Sequence, residues 1–169
     1  MNFIVRCILV SILSVGFLVV GAKADAAELS VGVHTVSHHT KGSYYDYELR
    51  TRREFNNSNP GLYLQASESW DGNTANVTVG TYKNSIYRQT TYATVGFGRE
   101  INSTFDIGLQ IGLATGYNSG FGYKGSVVPM GGLVVTTKLT DKLNANVIFV
   151  PPVNSDTAGV VHLTLDHKF

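Results

Sequence analysis

One cysteine in 169 residues excludes an intrachain disulfide and any tetrahedral cysteine zinc site. Charge is scarce as well: Asp, Glu, Lys and Arg make up 15% of the chain, against about 25% in an ordinary soluble domain. The formal balance is +1, so the basic footprint of a nucleic-acid binder is missing. Beyond residue 26 no apolar run approaches the roughly 20 residues that a membrane-crossing helix needs. What is plentiful is glycine, at 18, with 9 tyrosines and 8 phenylalanines. A chain of this length forms one domain.

The first 26 residues read as an export signal. Arg6 supplies the positive start, residues 8–20 the apolar stretch, and Ala24, Asp25 and Ala26 the small-x-small cleavage pattern. Cys7 precedes the apolar stretch, so it is not a lipidation cysteine, and cleavage after Ala26 removes it. The expected organisation is a signal peptide over 1–26 and one exported domain over 27–169.

Strand-period alternation dominates that domain. Phe105, Ile107, Leu109, Ile111 and Leu113 share one face, and Asp106, Gly108, Gln110, Gly112 and Ala114 the other. A soluble sandwich turns bulky residues inward and charge outward. Here the second face is small and mostly uncharged, which suits a narrow lumen whose greasy wall meets lipid. The pattern predicts eight strands, over 29–39, 61–67, 75–84, 91–100, 105–117, 126–139, 143–150 and 159–169. Short connections alternate with mostly longer ones, the rhythm of periplasmic turns and outer loops. Val161, Leu163, Leu165 and the terminal aromatic Phe169 share one parity, an ending suited to the barrel assembly machinery. The expected fold is all-β, an eight-stranded antiparallel transmembrane β-barrel in a bacterial outer membrane, closed because lipid cannot satisfy an open strand edge.

Candidate chemistry is sparse. His34 and His38 share the parity of Ser30 and Gly32, taken as lumenal, and His39 faces the other way. An imidazole there serves as a general base or as part of a polar rim. No carboxylate falls at ligand spacing, so no metal is implied, and no soluble cofactor. Asn84 and Ser85 end the third strand on the same side of the membrane, where an imidazole would activate the hydroxyl. The first outer loop, 40–60, has an acidic-aromatic half, Tyr44 to Glu48, and a basic half, Arg50, Arg52 and Arg53. Guanidinium matches phosphate geometry, so this half suits lipopolysaccharide as well as plain solvent. Pro60, Pro129 and Pro151 lie at or in strands toward the outer leaflet, where each either terminates a strand or leaves a gap in the wall.

The blocks Tyr82 to Ser85 and Ala93 to Phe97, with these prolines and the Val33–His34 context, resemble the lipid A palmitoyltransferase family of outer-membrane barrels. The resemblance implies transfer of a palmitoyl chain from phospholipid to lipid A. It implies His34 as base, Ser85 as polar or proton-relay partner, and Asn84 as orienter. Gly96 would set acyl depth, and Pro60, Pro129 and Pro151 would flank lateral lipid access. The chain departs from the family in carrying Asn84 where the family has aspartate, in lacking its helix before the first strand, and in its longer first loop. The choice between His34 and His38 as base stays open. Two rivals remain: a lipid A deacylase, for which Asp46 or Glu48 would supply the carboxylate, and a non-enzymatic barrel whose outer loops bind a partner.

Overall fold

The computed structural model describes residues 27–117, 127–152 and 157–169. The expected signal segment and most of two expected outer loops, 118–125 and 152–158, lie outside these residues. Ten strands follow in order: β1 Glu28–His39, β2 Ser43–Asp46, β3 Thr51–Glu54, β4 Ser58–Trp70, β5 Asn73–Lys83, β6 Gln89–Glu100, β7 Phe105–Thr115, β8 Val127–Lys138, β9 Leu143–Val150 and β10 Val160–Lys168. Eight close into a barrel in the order β1-β10-β9-β8-β7-β6-β5-β4, and β2 and β3 form a separate hairpin. Every neighbouring pair is antiparallel, and β1 meets β10 to close the ring. This is the expected eight-stranded barrel. The hairpin is the addition: the sequence reading leaves 40–60 as a loop.

The alternation does what it predicts. Leu62, Leu64, Phe97, Leu109, Ile111 and Leu133 stand half-exposed on the outer wall, in the position of a lipid-facing belt. Tyr63, Thr78, Tyr82, Tyr92, Thr94 and Thr164 fill the inside. Among the described residues no helix is long and apolar enough to cross a membrane; the barrel crosses with strands. One end has short turns. There Asp71 and Gly72, with φ of 47° and 74°, make the two-residue turn that favours hairpin twist. Both described chain ends also lie at this turn end. The other, loop end carries the β2–β3 hairpin and the turn 84–88.

Two irregularities position everything that follows. In β1 the ladder to β10 runs evenly to His34↔Thr164 and resumes at Ser37↔His162, while Thr35 Oγ1 donates to Leu163 O at 2.7 Å. That bulge inserts one residue, and one residue is enough to exchange faces. Beyond it Ser37 and His39 are buried and His38 is exposed. The parity expectation for His38 and His39 is therefore reversed. The second irregularity lies in the wall. β8 pairs with β7 along its whole length, up to Thr115↔Val127. Among the described residues its ladder to β9 stops at Leu133↔Phe149, and residues 127–132 lie beyond the end of that ladder.

Candidate functional site

Inside the barrel the lumen divides into two chambers that meet at Gln65, Gln110 and Asn146. The turn-end chamber is polar and holds the ion pairs Lys138–Asp106 at 3.1 Å and Lys168–Glu28 at 2.9 Å. Between the chambers Tyr63 packs flat over Gly32, where a Cβ would strike its ring. Its hydroxyl donates to Asp166 at 3.2 Å, which also accepts from Asn146 at 2.6 Å and Asn144 at 3.0 Å. This network satisfies a carboxylate that lipid or a dry lumen would otherwise penalise.

The loop-end chamber has a different character. It encloses about 240 Å³ and is lined by rings such as Phe55, Tyr82, Tyr92 and Tyr117 and by Val128, Met130, Ile148 and Val150. Pro129, Gly131 and Pro151 complete its wall where β8 and β9 are not laddered. His34, His39, His162 and Ser85 all face this space.

The structure separates the expected catalytic residues into two groups. His34 lies deeper, with Nδ1 2.8 Å from His162 Nε2 and Nε2 2.9 Å from the Tyr92 hydroxyl. Tyr82 stacks on its ring at 4.7 Å. The imidazole that reaches Ser85 is His39, whose Nε2 lies 2.7 Å from Ser85 Oγ. On the other side His39 Nδ1 lies 2.9 Å from Asn57 Oδ1. Phe55 stacks on the His39 ring at 4.2 Å and 3°. Neither His39 nor Asn57 stood among the candidate residues. The sequence does carry a signal for the first: outward apolar residues fall at Leu29 and Val33 and then at Val36, and that change of parity marks the bulge.

Local hydrogen bonding explains how distant segments converge on Ser85. Asn84 is fully buried, and its Oδ1 accepts from Ile86 N–H at 3.0 Å and Arg88 N–H at 2.9 Å. Its Nδ2 donates to Thr90 Oγ1 and Gly116 O, both at 3.0 Å. With every polar atom so engaged, Asn84 builds the turn that presents Ser85 and is not in contact with either imidazole. Asn56 then clips the β3–β4 link to this turn, its N–H donating to Ser85 O at 2.8 Å and its Nδ2 to Asn84 O at 3.0 Å. Ser37 N–H donates to Asn57 O at 2.9 Å, tying the same link to β1. The Tyr117 hydroxyl oxygen also hydrogen-bonds Ser85, accepting from its backbone N–H, and burial raises the phenol above the ordinary value, so it stays neutral.

The remaining expected residues fall as follows. Gly96 has the lumenal parity, but the Asn76 amide covers it, 2.6 Å from where a Cβ would stand, and Gly96 does not line the chamber. The base of the chamber is made by Gln65, Thr78 and Gln110. Pro129 and Pro151 border the unladdered stretch. Pro60 sits where the β1–β4 register jumps from His34↔Gly61 to Val36↔Ser58. Among the described residues no group of three or more His, Cys, Asp or Glu is arranged to hold a metal ion.

No protein-family profile matches the chain, and no curated protein matches it in sequence. Solved structures do. A de novo designed transmembrane β-barrel aligns with TM-score 0.55 and 13% identity, over 84% of this chain and 95% of the design. The outer-membrane protein Ail of Yersinia pestis, in a phospholipid nanodisc, aligns at TM-score 0.47 and 13% identity, over 85% and 99%. Neisserial surface protein A aligns at 0.38 and 14%, over 85% and 96%. At these identities the likeness concerns the fold, a small transmembrane β-barrel, and does not reach the palmitoyltransferase resemblance.

Proposed function

We propose that this is a bacterial outer-membrane barrel that takes a lipid acyl chain into its loop-end chamber and moves it from a phospholipid donor to an acceptor, with lipid A in lipopolysaccharide the acceptor we favour. The observation that carries this reading is the chamber itself: apolar, bordered by residues of β8 and β9 beyond the end of their ladder, and holding a serine–imidazole pair. In lipid an unpaired strand edge is costly, so its position beside an apolar chamber supports a lateral path for lipid. Pro129 and Pro151 favour that path by withholding ladder donors on either side of it. The same pair would serve a deacylase if water were the acceptor.

A second reading has its own support. The outer face of the hairpin exposes Tyr45, Tyr47 and Leu49 beside Arg50 and Arg52, a surface suited to a binding barrel without chemistry. The test is transfer of a labelled acyl chain by the purified barrel in mixed phospholipid and lipopolysaccharide micelles. Label on lipid A supports the transferase, and label as free fatty acid supports the deacylase. Label that stays on phospholipid, with the barrel folded, leaves the binding role.

A further inference from the structure

We propose that Ser85, His39 and Asn57 form a nucleophile, base and orienter that cleave the lipid acyl ester through an acyl-Ser85 intermediate. This rests on the acyl-chemistry reading above and assigns its residues. Asn57 Oδ1 can only accept, so its 2.9 Å contact places the ring proton on His39 Nδ1 and leaves the Nε2 lone pair facing Ser85 Oγ at 2.7 Å. That is the tautomer a general base requires. Phe55, stacked at 4.2 Å, fixes the ring plane. Asn57 is itself fixed by the Ser37 N–H on its carbonyl and by its neighbour Asn56, which is clipped to the turn carrying Ser85. Three separate segments thus hold one reactive line, and it borders the largely apolar chamber that would receive the acyl chain.

The step balances without any cofactor. Ser85 Oγ attacks the ester carbonyl while its proton passes to His39 Nε2. The acyl C–O bond then breaks, and the departing lipid alcohol takes that proton from His39. An acceptor hydroxyl next gives its proton to His39 and attacks the acyl-serine, which restores Ser85. Ser85 and His39 are the catalytic residues; Asn57 is a positioning residue. A neutral amide orients the imidazole but adds no charge to stabilise the imidazolium. Both half-reactions pass through that imidazolium and are slowed alike. An activated ester with a good leaving group nevertheless acylates Ser85 faster than an alcohol or water removes the acyl group, so on such a probe the acyl-enzyme accumulates.

The experiment uses the full chain folded in detergent micelles, with p-nitrophenyl palmitate as probe and heat-modifiable gel mobility as the fold control. A nitrophenolate burst and a palmitoyl mass on the Ser85 peptide are expected, both absent in Ser85→Ala. Ser85→Cys, which keeps the shape, should carry a hydroxylamine-labile thioester. His39→Gln should slow the burst by about a thousandfold or more. Asn57→Asp places a carboxylate beside the imidazolium and favours its protonated form. The active species is the neutral base, so the acid limb of the pH–rate profile should move to higher pH, an effect no purely structural role of Asn57 would give. Acyl transfer that continues in wild type and in folded Ser85→Ala without an adduct would overturn the triad and leave the acyl-transfer reading standing. Folded wild type with neither adduct nor transfer would overturn both.

Discussion

A serine hydroxyl is a weak nucleophile unless a base sits on it, and that distinguishes Ser85 from other buried hydroxyls of the barrel. Among the described residues Ser30 Oγ, Ser37 Oγ and Thr94 Oγ1 are buried with no hydrogen-bond partner, whereas Ser85 meets an imidazole at 2.7 Å. His34 is a different kind of histidine. Both its nitrogens are engaged, by His162 and Tyr92, so it braces the lumen under the chamber. His34→Gln should therefore keep acyl transfer within a fewfold of wild type while lowering stability by about 1–3 kcal/mol, the cost of leaving buried partners unsatisfied. Denaturant unfolding beside a burst assay checks both halves. Loss of the burst in a folded His34→Gln barrel would return the base to His34. Ser85 was legible from the sequence as a residue, because a polar pair ending a strand stands out. Its partner was not. His39 faces Ser85 only because a single inserted residue in β1 exchanges the faces, and Asn57 arrives from a link whose path no local pattern fixes.

Strand alternation made each barrel strand readable, because one face must be apolar for lipid and the other must fit a narrow lumen. The hairpin within 40–60 escaped because its strands are four residues each and alternate too briefly to register. What holds it is specific chemistry. Asp46 Oδ1 accepts from Glu48 N–H at 3.0 Å and Leu49 N–H at 3.1 Å, and Arg53 lies 3.6 Å from its carboxylate. The Leu49 N–H above all, then the Glu48 N–H and Arg53, outweigh desolvation and hold the Asp46 carboxyl below its ordinary value of 3.8. A depressed carboxyl contributes stability that is fully present above its unfolded value, so the hairpin should hold above about pH 4 and loosen as pH falls through the lower folded value. Asp46→Ala should loosen it at neutral pH, with trypsin cutting at Arg50 and Arg52 roughly 5- to 30-fold faster. Unchanged cutting would mean that the Tyr44, Phe55 and Ile86 cluster alone anchors the hairpin. The gap between β8 and β9 makes a second prediction at this scale. Pro129→Val with Pro151→Val restores two N–H donors and lets the ladder lengthen. Turnover of membrane-embedded lipid should fall at least about tenfold, with the burst on a short-chain soluble ester unaffected. An equal loss on both substrates would mean that the prolines shape the site and not the path.

At the scale of the whole barrel, charge is sorted along the axis. Among the described residues the loop end carries Lys41, Arg50, Arg52, Arg53, Lys83 and Arg88 against Asp46, Glu48 and Glu54. The turn end carries Arg99, Lys138, Lys142 and Lys168 against seven carboxylates, Glu28, Glu68, Asp71, Glu100, Asp106, Asp141 and Asp166. A surplus of positive charge thus surrounds the mouth of the apolar chamber, complementary to an anionic lipid surface. Chamber, wall gap, serine–imidazole line and cationic rim all lie at this one end, and the polar network around Asp166 closes off the other. The central claim is that this end performs acyl chemistry on membrane lipid. Its most direct test is mass spectrometry of phospholipid and lipid A from cells expressing the wild-type chain beside cells expressing Ser85→Ala, with both barrels shown to be folded in the outer membrane. The account predicts lipid A that gains or loses one acyl chain in the wild type alone, with lysophospholipid rising if the chain is gained. Identical lipids from the two strains would contradict it.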